Sequence, residues 1–160
     1  MPDAGALTAI PASHYSFEAL AQIYNASRVD YIVPMPMNAR RMAEYVKAYD
    51  VDLDASVVAV NGENETCAVG MLGWRERRGW VTRLGVIPER RGRHVGRFVL
   101  SSLLDAAQSR GASLAQLEVI EGNAPAHALF LKAGFQETRL LYVLRRPPSP
   151  LPPSAAALLK

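Results

Sequence analysis

The feature that most constrains the fold of this 160-residue chain is a repeated switch in the spacing of its apolar residues. Strand-like apolar runs alternate with segments whose apolar residues recur every three or four positions, as on one face of a helix. Prolines, glycines and cap residues separate these segments. The resulting order is strand, two helices, three antiparallel strands, helix, strand, helix, strand. This order predicts a mixed α/β sheet with helices on both faces.

The strands are recognised as short runs of β-branched and other apolar residues bounded by turn residues. Two of the three central strands are joined at Glu76–Arg78 and are predicted to form an antiparallel hairpin. The predicted strands are residues 7–10, 56–60, 66–75, 79–87, 114–120 and 135–146.

The helices are recognised by apolar stripes at helical spacing and by residues that favour helix ends. Ser13 or Ser16 caps the first helix, and an asparagine caps the second and the fourth. A loop at residues 30–38, unusually apolar and interrupted by two prolines, separates the first two helices. The predicted helices begin near Ser16, at Asn38, at Val95 and at Asn123, and the last two run to Arg110 and Ala133.

Composition narrows the class of protein. With 49% apolar and 21% charged residues, the chain is ordinary for one globular domain, which excludes a disordered, collagen-like or coiled-coil protein. No apolar run approaches the ~20 residues of a membrane helix, and no secretory signal is visible. The single cysteine, Cys67, excludes an internal disulfide and a cysteine-built zinc site. We therefore expect a cytoplasmic protein without membrane partners and without a metal.

Positive charge is concentrated in one segment. Residues 73–97 contain eight arginines and two glutamates, whereas the whole chain has a net charge of only +3. The rest of the chain is therefore mildly acidic. One basic segment on such a body predicts a single site for an anionic ligand rather than a general nucleic-acid surface.

The centre of this segment reads V-I-P-E-R-R-G-R-H-V-G-R over residues 86–97. A strand ends at Ile87, Pro88 breaks it, and an arginine-rich loop with glycines leads into the helix at Val95. A helix N-terminus presents unpaired N–H groups with a partial positive charge, and glycine lets the backbone approach a ligand closely. This arrangement predicts a diphosphate-binding loop. Neither the P-loop pattern nor the Rossmann pattern is present.

A second segment, L-E-V-I-E-G-N-A-P-A-H-A-L-F-L-K-A-G-F over residues 117–135, pairs a strand with a capped helix. The two segments together resemble the GNAT family, the Gcn5-related N-acetyltransferases. The family's loop pattern, Arg/Gln-x-x-Gly-x-Gly/Ala after Val-x-Pro, corresponds to residues 91–96 after residues 86–88. Its later pattern, Asn-x-x-Ala-x-x-Leu-Tyr and then Gly-Phe, corresponds to residues 123–130 and 134–135.

The resemblance, which covers residues 5–146, implies a GNAT fold of the α/β (α+β) class. This is a mixed, mostly antiparallel sheet with a V-shaped splay between central strands and helices on both faces. Acetyl-CoA would lie in the gap between the strands at 81–87 and 114–120, its pantetheine arm along the first strand and its diphosphate on the arginine-rich loop. The implied cofactor contacts are Leu84, Gly85, Val86, Arg91, Gly92, Arg93, His94, Val95, Gly96, Arg97, Asn123 and Phe130.

Two positions depart from the family pattern. His94 occupies the place of the first loop glycine, where an imidazole either crowds the diphosphate or donates a hydrogen bond to it. Phe130 occupies a place where many relatives carry a tyrosine whose hydroxyl protonates the leaving thiolate. Because a free thiol has a pKa of about 8.5, thiolate is a tolerable leaving group, so the loss weakens catalysis without excluding it. Tyr31 and Tyr142 are the candidates to replace this acid.

The resemblance also implies a carboxylate, at a strand end, that removes a proton from the acceptor amine. Glu118 is predicted in this role because it lies five residues before Asn123, like the base glutamate of N-terminal acetyltransferases that act on ribosomal proteins. It alternates with Leu117 and Val119 in a strand expected to be covered on both faces. Glu121 is the fallback. In the family, the loop between the first two helices forms the acceptor pocket, here lined by Tyr31, Pro34, Met35, Met37 and Trp80.

The predicted function is transfer of an acetyl group from acetyl-CoA to a primary amine, on a small molecule or a protein N-terminus, by direct attack in a ternary complex. One alternative is a GNAT-like module that binds acyl-CoA without turnover, which His94 and Phe130 support. The other is a nucleic-acid-binding module. Nucleic acid is the weaker alternative, because the arginine segment is short and lacks interleaved aromatic residues.

The proline distribution divides the chain. Residues 1–146 are predicted as the acetyltransferase domain and residues 147–160 as a proline-rich tail, since five of the eleven prolines lie at 147–153. The family usually ends with two strands after the last helix, and residues 135–146 suffice for one. The sheet edge that this leaves predicts a homodimer.

Overall fold

A computed structural model of the chain describes residues 6–144. The proline-rich tail and the last two residues of the preceding predicted strand lie outside these residues. Within them, one sheet contains five strands in the order β1-β2-β3-β4-β5. The first four pair antiparallel and β5 joins β4 in parallel. The strands are β1 (Thr8–Pro11), β2 (Val57–Val60), β3 (Thr66–Arg75), β4 (Arg78–Val86) and β5 (Leu114–Leu117).

Four α-helices accompany the sheet in the described residues, which confirms the predicted mixed α/β class. Side-chain caps begin two of them as predicted, because Ser16 accepts a hydrogen bond from the Ala19 amide and Asn38 accepts one from the Arg41 amide. None of the described helices combines the length and apolarity that a membrane crossing requires. The helices are α1 (Phe17–Ser27), α2 (Ala39–Ala48), α3 (Val95–Ser109) and α4 (Ala124–Lys132).

The sheet is covered on both faces. In β2, Val57 and Ala59 belong to the cluster that contains α3 residues and Phe130 of α4. Val58 and Val60 belong to the cluster built by α1 and α2. Successive side chains of a strand point to opposite faces, so β2 contributes to both clusters and is fully buried.

Strands β4 and β5 separate partway along their length. They pair from Arg78 and Leu114 as far as Val81 and Leu117, and β4 then continues to Val86 without β5 beside it. At the same point β4 carries one extra residue, Thr82, because Met71 and Leu72 of β3 lie opposite Arg83 and Val81. An extra residue bends a strand and increases its local twist. The predicted splay therefore begins at the bulge formed by Thr82.

The prediction of a last strand at residues 135–146 is wrong for the residues that the structure describes. Residues 135–144 form neither helix nor strand. Phe135 packs on the core, but the side chains from Leu140 to Leu144 are largely exposed to solvent. A strand forms when a neighbour pairs with its backbone and a layer covers one of its faces. This segment has neither, so its apolar composition alone does not make it a strand.

The predicted strand at 114–120 is also too long. It ends at Leu117, and the chain then turns, since the Asn123 amide donates a hydrogen bond to the Ile120 carbonyl at 3.0 Å. Within the described residues β5 has β4 as its sole neighbour. Its outer side is therefore an open edge. The expectation that this strand is covered on both faces is wrong, because Leu114 and Gln116, on one face of β5, are exposed.

Candidate functional site

A cleft of about 980 Å³ opens where β4 and β5 separate. Its walls come from the end of β4, the first turns of α3 and α4, and the segment that follows α1. A volume of this size is in the range of sites for small molecules and cofactors. Most of the predicted cofactor contacts lie in it: Leu84, Gly85, Val86, Arg91, Gly92, His94, Val95, Gly96, Arg97 and Asn123.

The exposed edge of β4 supplies free backbone groups to this cleft. The Ile87 amide donates to the Cys67 carbonyl at 2.9 Å, so Ile87 directs its backbone groups toward β3. Hydrogen-bonded positions alternate along an antiparallel pair. The backbone groups of Gly85 therefore also point toward β3, and the backbone groups of Leu84 and Val86 point into the cleft. Only the Val86 carbonyl is taken, by Arg91 Nε at 3.1 Å. An extended ligand with amide groups can pair with the others as an added strand would.

The N-terminus of α3 is the second feature of the cleft. Side chains cap α1, α2 and α4, but His94, at the start of α3, makes no side-chain cap hydrogen bond. The first amides of this 15-residue helix are therefore left without a side-chain acceptor, and they carry the positive end of the helix dipole. Such a helix start favours an anionic ligand group.

Basic side chains add to the positive charge of the cleft. Arg28, Arg97 and Lys132 line it, and none of them forms an ion pair with a carboxylate within residues 6–144. Arg97 was expected from the sequence. Arg28, at the end of α1, and Lys132, at the end of α4, were missed because they are distant in sequence from the arginine-rich loop.

Arg91 has a different role from the one expected of it. Its guanidinium donates to both carboxylate oxygens of Asp30, at 2.6 and 2.8 Å, and to the Ser27 carbonyl at 3.2 Å. With the bond to Val86, these contacts occupy it within the protein. Arg91 therefore clamps the segment after α1 to the loop before α3. Its hydrogen bonds hold the pKa of Asp30 below its ordinary value of 3.8, and Asp30 in turn raises the pKa of Arg91.

This clamp predicts a pH-dependent contribution to stability. Because the pKa of Asp30 is lowered in the folded protein, its ion pair stabilises the fold above the unfolded pKa of about 3.8, and the stabilisation is lost as the pH falls through the folded pKa. We expect Asp30→Asn to lower Tm at pH 6 and to have no effect at pH values well below 3.8. Thermal unfolding at several pH values measures this. Asp54→Asn is the control, and an Asp30→Asn effect that persists in acid would contradict the prediction.

His94 lies in a backbone conformation that explains why the family has glycine at this place. Its φ is +61° and its ψ is 6°, in the left-handed region, and Gly92 two residues earlier has a φ of +73°. A residue with a Cβ atom is strained by about 1–2 kcal/mol in this region. The imidazole is exposed at the mouth of the cleft.

The strain at His94 can be measured with two substitutions. His94→Gly and His94→Ala both remove the imidazole, but only glycine relieves the left-handed strain. We expect His94→Gly to be the more stable of the two by about 1 kcal/mol, after the larger chain entropy of glycine is subtracted. Chemical denaturation gives both free energies of unfolding. Equal stabilities would mean that the backbone here is not left-handed in solution.

Glu118 lies one residue beyond the paired part of β5 and is exposed. Its neighbours Leu117 and Val119 pack against the core on the α3 side of the sheet. Glu118, between them, therefore points to the opposite face, on which α1 and α2 pack. It stands at the point of the splay rather than in the wall of the cleft. Asn123 caps α4 through the Ala126 amide at 3.4 Å and also lines the cleft.

Three further predicted residues lie away from the cleft. Phe130 is 8% exposed and packs edge-on against Phe135, outside the lining of the cleft, so its contact with the cofactor stays a prediction. It is part of the core because its position on α4 faces the sheet. Tyr142 is 83% exposed in the segment without regular structure, which leaves Tyr31, in the cleft, as the candidate acid. Arg93 is exposed and does not line the cleft.

The predicted acceptor pocket is also not assembled as expected. Of its residues only Tyr31 lines the cleft. Both backbone groups of Met37 bond to the Asn25 side chain, at 2.8 and 2.9 Å, which holds Met37 against the core between α1 and α2. Trp80 packs on Tyr49 of α2, with ring centroids 5.3 Å apart. Pro34 and Met35 are exposed beside these elements, outside the cleft.

The chain matches one family profile and several solved structures. The sequence profile of the acetyltransferase (GNAT) family matches residues 18–135. No curated protein sequence matches significantly. Among solved structures, the ribosomal-protein-S18-alanine N-acetyltransferase from Escherichia coli is 19% identical with a TM-score of 0.66, over 84% of this chain and 79% of that one.

Two more solved structures have the same architecture. The PaiA N-acetyltransferase from Thermoplasma acidophilum, solved with coenzyme A, is 14% identical with a TM-score of 0.63, over 82% of this chain and 90% of that one. An acetyltransferase from Trypanosoma brucei is 15% identical with a TM-score of 0.61, over 88% of this chain and 99% of that one. At these identities the structural matches show a common fold.

Proposed function

Because the chain belongs to the acetyltransferase (GNAT) family, we propose that it transfers the acetyl group of acetyl-CoA to a primary amine while both substrates are bound. The observation that carries this proposal is the open edge of β4 beside the uncapped start of α3. The strand edge can pair with the amide groups of the pantetheine arm. The helix start can bind the diphosphate. Both belong to one cleft.

The cleft also fits coenzyme A in charge and polarity. Arg28, Arg97 and Lys132 would pair with its phosphate groups, since charge-assisted hydrogen bonds to phosphate are strong. Leu100 and Leu104 of α3 provide an apolar wall for the rest of the molecule. The acetylated cofactor supplies a thioester whose carbonyl carbon bonds to the amine nitrogen as its bond to sulfur breaks.

The protein's own part in the reaction is to orient the amine and move protons. An amine of pKa about 8 to 10 is largely protonated at neutral pH and must lose a proton to attack. Glu118, at the point of the splay, would accept this proton as general base. Tyr31 would donate a proton to the leaving sulfur. Both assignments are proposals that rest on the positions of these residues beside the cleft.

The acceptor class is proposed as a primary amine on a small molecule or a protein N-terminus. The structure from Escherichia coli carries the name of an enzyme that acts on an alanine of a ribosomal protein, and the fold likeness supports the N-terminal option. A cytoplasmic location and a homodimer through the free edge of β5 stay predictions. Light scattering at micromolar concentration tests the dimer, and a monomeric mass would contradict it.

Thermal unfolding with and without acetyl-CoA tests the cofactor. A ligand at 100 times its Kd stabilises the folded state by ~2.7 kcal/mol. At ~2–4 °C per kcal/mol for a chain of this size, Tm should rise by roughly 5–11 °C. Pantetheine, which lacks the phosphates, should not produce this shift. Arg97→Gln should reduce the shift, whereas Arg40→Gln, on the exposed side of α2, should leave it unchanged.

One observation favours a second function. Phe130 has no hydroxyl and is buried, so the acid that many relatives carry at this position is absent. The alternative is a module that binds acyl-CoA without turnover. A thermal shift with acetyl-CoA, but no acetylation of any amine tested, would favour this module. Absence of a shift at millimolar acetyl-CoA would overturn both functions.

A further inference from the structure

The face of the sheet opposite α3 carries an arginine that neither the cofactor cleft nor the proposed chemistry uses. Arg83 follows the bulge residue Thr82 in β4. Its guanidinium carbon lies 4.9 Å from the ring centre of Tyr45 and 5.5 Å from that of Tyr49, both on α2. The side chain is half-buried, and its Nε atom is inaccessible to solvent.

The hydrogen-bonding capacity of Arg83 is largely unused. A guanidinium has five N–H donors, and the one hydrogen bond of this group in the described residues goes from NH1 to the neighbouring Thr82 carbonyl, at 2.8 Å. The buried Nε has no partner. Leaving a buried charged donor unpaired is costly, and such groups normally have an anionic partner.

Three other arginines of residues 73–97 have carboxylate partners in the described residues. Arg75 pairs with Asp50 at 2.6 Å, and Arg90 and Arg91 pair with Glu65 and Asp30. Arg83 is more enclosed than Arg75, yet it has no carboxylate within salt-bridge distance among residues 6–144.

A second unpartnered donor belongs to the same cluster. Tyr24 of α1 is 2% exposed, and its hydroxyl makes no hydrogen bond in the described residues. Tyr24 and Tyr45 belong to the same buried cluster, against which Tyr49 packs. Burial raises the pKa of Tyr45, so that its hydroxyl stays neutral and bonds to Thr82. Tyr45 therefore cannot serve as the anion that Arg83 lacks.

The cluster lies on the same face of the sheet as Glu118. Gln116 pairs with Trp80 in the parallel register of β5 and β4, and Trp80 packs on Tyr49. Glu118 is two residues beyond Gln116 and so projects from the same face. Arg83 is the second residue beyond the paired part of β4, and its contacts with Tyr45 and Tyr49 place it on this face as well.

We propose that the Arg83 guanidinium binds a carboxylate of the acceptor, so that the preferred substrate is an amine with a carboxylate on the same molecule. The carboxylate would give Arg83 the acceptor that it lacks and would hold the amine toward Glu118. This inference rests on the proposed acetyl transfer and adds the substrate class. The carboxylate belongs either to a free amino acid or to an acidic side chain at a peptide N-terminus.

Matched acceptors test the proposal. Phenylalanine and phenethylamine differ only in the carboxylate, as do 4-aminobutyrate and propylamine. We expect the carboxylate-bearing member of at least one pair to have a kcat/KM roughly 10- to 100-fold higher, the range of a hydrogen bond to a charged group. The third pair consists of two peptides that differ only in their first residue, Asp or Asn. A preference for the Asp peptide, with no preference in the other two pairs, would show that the carboxylate belongs to an acidic side chain at a peptide N-terminus. No preference in any pair would overturn the proposal.

Variants test whether Arg83 is the source of the preference. Arg83→Met should remove the carboxylate preference by lowering kcat/KM for the carboxylate-bearing amine. The kcat/KM for the amine without a carboxylate should change by less than about twofold. Arg77→Met, at the exposed hairpin turn, is the matched control. Equal losses for both amines in Arg83→Met would mean a structural role and would overturn the proposal.

A binding measurement separates failure of this inference from failure of the proposed function. Calorimetry with protein saturated by coenzyme A should give a lower Kd for N-acetylphenylalanine than for N-phenethylacetamide, and Arg83→Met should abolish the difference. If acetyl-CoA raises Tm and neutral amines are acetylated without any carboxylate preference, the acetyltransferase stands and this inference fails. If acetyl-CoA does not bind, the acetyltransferase itself fails, and the inference with it.

Discussion

Replacing Glu118 by glutamine is expected to lower kcat/KM for the amine by roughly 10²- to 10⁴-fold, the usual contribution of a general base. Glutamine has nearly the shape of glutamate but cannot accept the proton that the amine must lose. Glu118 is exposed and makes no ion pair among the described residues, so the fold should not depend on its charge. The Kd of acetyl-CoA should be unchanged. Steady-state kinetics with a fixed amine measures the loss.

The matched control is Glu121→Gln, a change of the same kind three residues later in the turn before α4. The Glu118→Gln activity should recover as the pH rises toward the pKa of the amine, because solvent then removes the proton. Activity that is unchanged in Glu118→Gln would exclude Glu118 as the base. A loss in Glu121→Gln instead would move the role to that residue.

Gly85→Ala should have the largest effect on the architecture of the cleft. A Cβ atom at this position of β4 would lie 2.2 Å from Ser27 Oγ and 2.8 Å from Ser27 Cβ. The end of α1 would have to move away from β4, and overpacking of this kind costs about 1–3 kcal/mol. At ~2–4 °C per kcal/mol, Tm should fall by roughly 2–12 °C. Acetyl-CoA binding should weaken as well, because the Ser27 carbonyl holds Arg91 at the mouth of the cleft.

The control for this change is Gly62→Ala, because a Cβ atom at Gly62 would contact nothing within 4 Å. Its Tm should stay level or rise, since alanine reduces the entropy of the unfolded chain. Ser27→Gly in combination with Gly85→Ala should recover part of the lost stability by removing the colliding atoms. A Gly85→Ala protein as stable as the original would show that α1 and β4 are not in this close contact.

The elements that could be predicted from sequence are those whose signal is local. Asn38 and Ser16 cap their helices as expected, because capping involves an amide only three residues away. The hairpin formed by β3 and β4 was likewise expected from two apolar runs and a short turn. The strand expected at residues 135–146 did not form in the described part, because strand formation requires a partner that the segment does not have.

The cofactor loop was identified because its pattern is contiguous, and the departure at His94 became interpretable once its left-handed backbone was known. The residues from other parts of the chain that lie beside this loop could not be predicted from the sequence. Arg28 and Lys132 reach the cleft from the ends of α1 and α4, and Arg91, which lines the cleft, is paired there with Asp30, 61 residues earlier in the chain. Phe130 was assigned to the cofactor, but its side of α4 faces the core.

The sequence by itself determined the fold class and the family, and it predicted the position of an anion-binding loop, since each depends on residues that are neighbours along the chain. The tertiary structure decided which charges are free, because ion pairs such as Arg91 with Asp30 join distant segments and remove cations from the site. It also decided that Arg83, one of eight arginines in residues 73–97, lies half-buried on the face where Glu118 stands and has no carboxylate within salt-bridge distance among the described residues. Burial and pairing depend on packing in three dimensions, which local sequence patterns do not contain.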